Sequence, residues 1–226
     1  TWIIQLWKHV CTLNNPLNPL FFITTFFIYN NKYHISMTTY VTYYDSCVGR
    51  LTIASDGENI TGLWIENQKY YGYKQLDNAV REDGLKIFKK TKNWLDAYFN
   101  KENPDISKLS LKTVGTPFRQ EVWKILETIP YGTTTTYANI ASIIAEHRNI
   151  DKMSSQAVGG AVGHNPISII IPCHRVVGKN GSLTGYAGGI NNKIKLLELE
   201  GVDVSKFSLP WTIFKKKYRI ELIILV

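Results

Sequence analysis

The chain has 226 residues, 44% hydrophobic and 19% charged, a soluble, globular composition long enough for one large or two small domains with cores of their own. Its three cysteines, Cys11, Cys47 and Cys173, are odd in number and widely scattered, which argues against a disulfide framework or a zinc site of close-spaced pairs and places the chain in a reducing cytoplasm. The formal charge of +8 suggests nucleic acid, but Lys8 and Lys32 stand before Met37 without any acid, and Lys206, Lys215, Lys216, Lys217 and Arg219 face only Glu221 at the other end, so a local patch, not global charge, must carry any DNA binding.

Residues 1–36 are rich in Ile, Asn, Phe, Tyr and Leu without helical or alternating periodicity. The apolar run Leu20 to Tyr29 is too short to span a bilayer, and no small-residue cleavage site follows it, so no membrane association is expected. Met37 is expected to be the true start, with the upstream residues translated non-coding sequence. Peptides from residues 1–36 in the native protein would overturn that.

From Met37 the pattern is regular. Tyr40 to Tyr44, Gly49 to Ser55 and Asn59 to Glu66 read as strands, with Asp56-Gly57 as a hairpin turn. A polar, tyrosine-rich stretch from Gln68 to Asp77 follows. Leu85 to Phe99 carries Leu85, Phe88, Leu95 and Phe99 at helical spacing, with Ile87, Trp94 and Tyr98 alongside, and reads as an amphipathic helix whose aromatics are core. Residues 101–114, with Pro104, read as a linker closing a first domain of residues 37–100.

A second domain is expected over residues 115–207, with an uncertain tail from 208 to 226. Thr116 as N-cap and Pro117 at the first helical position open a helix that Ile129-Pro130-Tyr131-Gly132 ends. A second helix begins at about Thr135, with Thr135 or Thr136 as cap and Tyr137, Ile140, Ala141 and Ile144 on one face. Next, Ser154 to Gly163 is rich in small residues. Glycines inside a helix cost about 1 kcal/mol each relative to alanine, so the segment needs a reason: close packing on a neighbouring helix or close approach to a DNA backbone. Two helices joined by a short turn also fit a helix-turn-helix.

Asn165-Pro166-Ile167-Ser168-Ile169-Ile170-Ile171-Pro172-Cys173-His174-Arg175-Val176-Val177-Gly178 is the centre of the chain. Ile167 to Ile171 reads as a short buried strand that Pro172 ends, delivering Cys173 and His174 to the surface. A thiolate is a nucleophile, and a nearby imidazole or cation populates it near neutral pH. Neighbouring side chains of an extended strand point apart, so Cys173 and His174 would need a turn or a bridging water to meet. Glu200, ending the helix-like run Lys193 to Glu200 before the stop at Gly201, is the candidate to orient the imidazole. By themselves a buried cysteine and a Cys-His dipeptide are weak signals, since free cysteine is commonly a small buried hydrophobe.

The longer string decides more. Pro172-Cys173-His174-Arg175-Val176, preceded by Asn165-Pro166 and followed by Gly185-Tyr186-Ala187-Gly188-Gly189, closely resembles the O6-alkylguanine-DNA alkyltransferase family, and the match runs from about Met37 to Phe207. The resemblance implies an α/β ribonuclease H-like N-terminal domain without that activity, and a mostly α C-terminal domain with a winged-helix-like helix-turn-helix whose second helix enters the minor groove. It implies a monomer acting on double-stranded DNA that carries alkylated guanine, by irreversible transfer of a methyl or other alkyl group to Cys173, with no metal or organic cofactor. O4-alkylthymine is a further substrate to consider.

Residue by residue, the resemblance makes Cys173 the alkyl acceptor, His174 the group that takes the thiol proton through a water, and Glu200 the carboxylate that orients His174. Asn165 matches the hinge asparagine, and Tyr137 the tyrosine that crowds the 3′ phosphate and helps rotate the lesion out. Tyr186 and the Ala187 amide would lie near the guanine O6, the carbonyls of Cys173 and Val176 would read its amino group, and Gly188 and Gly189 would leave room for the flipped base. Ser155, Gln156, Ala157 and Gly160 would face DNA. Arg175 reads as a structural ion-pairing residue. The sequence departs from the family at Gln156, where many members carry an arginine that fills the gap left by the base. Three rival readings remain: a cysteine hydrolase using Cys173, His174 and Glu200, a binding-only lesion protein, and a helix-turn-helix transcription factor.

Overall fold

The computed structural model describes residues 38–72 and 75–208. The extension 1–36 and all but the first residue of the tail 208–226 lie outside the described residues.

The N-terminal part is a four-stranded sheet of β1 (Tyr40–Ser46), β2 (Gly49–Ser55), β3 (Ile60–Ile65) and β4 (Val80–Arg81), in the order β3-β2-β1-β4, antiparallel except for the β1–β4 pair. The β2–β3 turn forms as its residues dictate: Asp56 Oδ1 accepts the amides of Glu58 and Asn59, and Gly57 takes a φ of 103°. Alternation sends Leu51, Ile53, Leu63 and Ile65 into the main core, and Val41, Ala54 and Trp64 into a smaller cluster on the other face. Gly62 is required there, because a Cβ would lie 1.9 Å from the Trp64 ring. Helix α1 (Lys86–Phe99) packs Ile87, Phe88, Trp94, Leu95 and Tyr98 into the main core.

The outer edge of β3 is covered twice. Ile60 pairs with residues 110–112, so this segment runs along the sheet with Leu109 buried beside it. Further along, Leu63 exchanges backbone bonds with Pro166 and Ser168 (2.9 and 2.8 Å), which hangs the cysteine-bearing segment on the sheet.

The C-terminal part holds α2 (Pro117–Glu127), α3 (Tyr137–His147), α4 (Ser155–Gly163) and α5 (Ile190–Leu199), with a two-stranded parallel sheet of β5 (Thr135–Thr136) and β6 (Val176–Val177). Thr116, Thr136 and Ser154 cap α2, α3 and α4 through side-chain oxygens. Trp123 of α2 donates its indole N–H to Ala161 O (2.9 Å), fixing α4 against α2. Helices α3 and α4, joined through residues 148–154, form the helix-turn-helix. Among the described residues, no helix is long and apolar enough to cross a membrane.

The structure corrects the expected strand Ile167 to Ile171. One bridge, Leu63 to Ile167, survives; beyond it the chain folds into a compact turn with Ile169 at a φ of 71°. The Asn165 side chain captures the backbone bonds that a strand would have used. A β-branched residue in the left-handed region costs about 1–3 kcal/mol, which the surrounding bonds must offset. The same turn overturns the expectation of a surface thiol and imidazole: Cys173 and His174 sit in a 3₁₀ turn (Cys173–Arg175), 4% and 0% exposed.

Candidate active site

Cys173 lies against the turn that Asn165 organises. Asn165 Nδ2 is within bonding distance of Ile167 O (3.3 Å), Ile171 O (2.8 Å) and Cys173 Sγ (3.1 Å), and Asn165 Oδ1 accepts the Ile167 amide (3.0 Å). Burial pushes the thiol above its ordinary value, while the Asn165 bond and the charge of Lys193 pull the other way.

Next in the chain, His174 places Nε2 2.7 Å from Glu200 Oε1. Burial holds the imidazole below its usual pKa, against the pull of Glu200, so it is neutral at pH 7. Burial would raise the Glu200 carboxyl, but the bonds from His174 and Arg175 outweigh it and hold its pKa at about 2. An ionised carboxylate only accepts, so the proton sits on Nε2 and Nδ1 carries the basic lone pair. Among the described residues, two buried side-chain polar atoms have no hydrogen-bond partner: His174 Nδ1 and the Tyr186 hydroxyl, on rings whose centroids are 6.5 Å apart.

Arg175 completes the carboxylate's shell. It donates from Nε to Glu200 Oε2 (2.9 Å) and from Nη2 to Oε1 (3.0 Å), and it anchors to Ile129 O through Nη1. The Gly132 amide adds a bond to Oε2 at 3.2 Å. Glu200 is held in place because α5 ends there, with Gly201 at a φ of 80° beyond it.

Tyr137, the first residue of α3, donates to Thr184 O (3.2 Å), and burial together with the nearby Cys173 pushes its phenol up to about 12. On α4, Ser155, Gln156, Ala157 and Gly160 are exposed together. Gly160 has open space where a Cβ would be, whereas Gly159 lies under the Tyr137 ring. Gly189 is open as well. Gly188 is not: its Cβ would lie 2.7 Å from the Tyr186 ring and 2.8 Å from Ile65, so it makes room for Tyr186. The Val176 carbonyl already accepts from Lys193 Nζ, and the Ala187 carbonyl accepts the Lys69 amide (2.9 Å).

Two profiles of one family match this chain: the 6-O-methylguanine DNA methyltransferase ribonuclease-like domain over residues 39–113 and the DNA-binding domain over residues 117–202. The methylated-DNA--protein-cysteine methyltransferase of Haemophilus influenzae is 44% identical over 163 residues, 72% of this chain and 87% of that protein. The chain belongs to the 6-O-methylguanine DNA methyltransferase family. The constitutive methylated-DNA--protein-cysteine methyltransferase of Bacillus subtilis is 36% identical over 164 residues, 72% of this chain and 96% of that one. The crystal structure of Mycobacterium tuberculosis OGT in complex with DNA superposes with a TM-score of 0.62 at 41% identity, over 74% of this chain and 94% of the other.

In this methyltransferase-family chain, sequence reasoning missed two groups next to the thiol and imidazole. Lys193 is fully buried, donates to Val176 O and Thr184 O, and is pushed down to about 8 by burial, with Cys173 opposing. Its signal was present: Lys193, Leu196, Leu197 and Glu200 are all buried at i, i+3, i+4 and i+7 of one stripe, and a lysine there is out of place. Tyr98 was assigned to core packing, but its hydroxyl reaches Glu200 Oε1 at 2.7 Å. No periodicity argument reveals what a core tyrosine's hydroxyl meets.

Proposed function

We propose that this protein repairs DNA by direct, single-turnover transfer of a methyl or other alkyl group from O6-alkylguanine in duplex DNA to Cys173. The observation that carries the reading is a buried thiol in the turn that also holds a neutral imidazole, whose Nδ1 is unpartnered and whose Nε2 is committed to an ionised carboxylate. The relatives' names and a DNA complex of a 41%-identical protein support it.

In this reading, α4 lies on DNA through Ser155, Gln156, Ala157 and Gly160, and Tyr137 helps the modified base leave the stack. Tyr186, Ala187 and Gly189 receive the base, and Gly188 leaves room for the Tyr186 ring. The thiol proton passes through a water to His174 Nδ1. Cys173 Sγ forms a bond to the alkyl carbon as the carbon–O6 bond breaks, and the guanine takes up one proton on its ring. The net result is an alkyl thioether and an unmodified guanine. Tyr137 is a protonated phenol at neutral pH, and its hydroxyl can turn from Thr184 O to donate to the departing ring. A thioether has no activated carbonyl and a poor leaving group, so Cys173 is not regenerated. The cytoplasm, which keeps thiols reduced, is the proposed compartment.

The test mixes protein with duplex DNA containing O6-methylguanine and maps added mass by peptide mass spectrometry. One methyl group on the Cys173 peptide without further turnover is expected. Lesion binding without transfer would sink the catalytic reading.

A further inference from the structure

The catalytic carboxylate receives more donors than its own domain supplies. His174, Arg175 and Gly132 all come from the C-terminal part, yet Glu200 Oε1 also accepts from Tyr98 OH at 2.7 Å, and Tyr98 belongs to α1 of the N-terminal part. This hydroxyl is 3.3 Å from His174 Nε2, so the phenol and the imidazole share one oxygen. The phenol is held there by its ring: Tyr98 is 1% exposed, stacked on Trp94 (5.5 Å, 8°) and edge-on to Tyr131 (6.1 Å, 79°). Five donor contacts from four residues crowd a carboxylate with about four lone-pair sites, so each added donor weakens its hold on the others.

We propose that Tyr98 is a positioning residue through which the N-terminal domain acts on the transfer: its hydroxyl fixes Glu200 Oε1 against His174 Nε2 and takes up part of the carboxylate's charge, which keeps His174 neutral and able to accept the thiol proton. The proposal rests on the reading of His174 as that acceptor.

Tyr98→Phe keeps the ring and removes only the donor. The other ionisable groups around this pair, Cys173, Arg175, Tyr131, Tyr186, Lys193 and Glu200 itself, stay in place. With one donor gone, more of the carboxylate's charge falls on Nε2–H and the imidazole becomes more basic. The titration of His174, followed by imidazole ¹⁵N shifts in the free protein, is expected to move upward by on the order of one pH unit. The ascending limb of the pH profile for single-turnover transfer should move with it. Tyr131→Phe is the control, because that hydroxyl donates to Leu199 O (3.3 Å) and not to Glu200; no shift is expected. An unchanged His174 titration in Tyr98→Phe, or equal shifts in both variants, overturns the proposal. So does a wild-type protein whose ¹⁵N shifts place the proton on Nδ1. If wild-type protein transfers no methyl group, the functional reading fails, while the titration still decides the role of Tyr98.

Discussion

Asn165 donates to Cys173 Sγ at 3.1 Å with the same amide group that closes the turn on Ile171 O at 2.8 Å. The nucleophile and the backbone that presents it therefore depend on one side chain. Asn165→Ala removes this donor and leaves the buried Ile167 amide without its acceptor, next to an Ile169 that the turn holds at positive φ. Urea unfolding should show a loss of about 2–4 kcal/mol. Transfer should slow as well, since the thiol loses a bond that favours its ionised form. A variant as stable as wild type would refute the turn-closing role.

Glu200 sets the acid limit. Its folded pKa of about 2 is below the ordinary 4.5, so its contribution is fully present above pH 4.5 and is lost as pH falls through about 2. The contribution is on the order of 3 kcal/mol. Glu200→Gln should abolish this acid-linked loss. At neutral pH it should also destabilise by about 3–5 kcal/mol, because Arg175 is left buried without a counter-charge. Unfolding free energies of both proteins from pH 7 to pH 3 check this; parallel curves would contradict it.

Lys193 works in the opposite sense. Its pKa falls from 10.5 to about 8 on folding, so between those values the folded chain binds fewer protons than the unfolded one, and stability should rise with pH. Below pH 8 the buried ammonium carries its full cost. Lys193→Met should lack the rise between pH 8 and 10.5. Losing the cation near Cys173 should also raise the thiol further and slow its alkylation by iodoacetamide at pH 7. If the variant's pH–stability curve retains the rise, another group is responsible.

The contrast between these residues shows what the sequence made legible. Local rules were enough for the hairpin at Asp56-Gly57, the cap at Thr116, and the stop at Gly201, because each depends on a few consecutive residues. The cysteine and histidine were found through a resemblance, and Glu200 through its place at a helix end. The turn at Ile167–Ile171 was misread because five residues of strand-like composition give no hint that a side-chain amide upstream will take their backbone bonds. Tyr98 was hidden for a different reason: its partner is 102 positions away, and only the docking of the two parts brings them together.

Gln156 offers a test of the DNA face. It is exposed on the first turn of α4, on the side where Gly160 leaves open space, at the position where the family resemblance leads one to expect an arginine. A glutamine can hydrogen-bond an orphaned base but brings no charge, so it displaces no counterion from DNA. Gln156→Arg should bind duplex DNA more tightly at low salt, and the slope of log K against log salt should steepen by about 0.9. Transfer from O6-methylguanine should be faster, because the opened duplex is held longer. Because the side chain points to solvent, stability should change by less than about 0.5 kcal/mol, which separates a DNA effect from a folding effect. Titration of labelled duplex at several salt concentrations reads both quantities; an unchanged affinity and slope would mean that α4 does not present this residue to DNA.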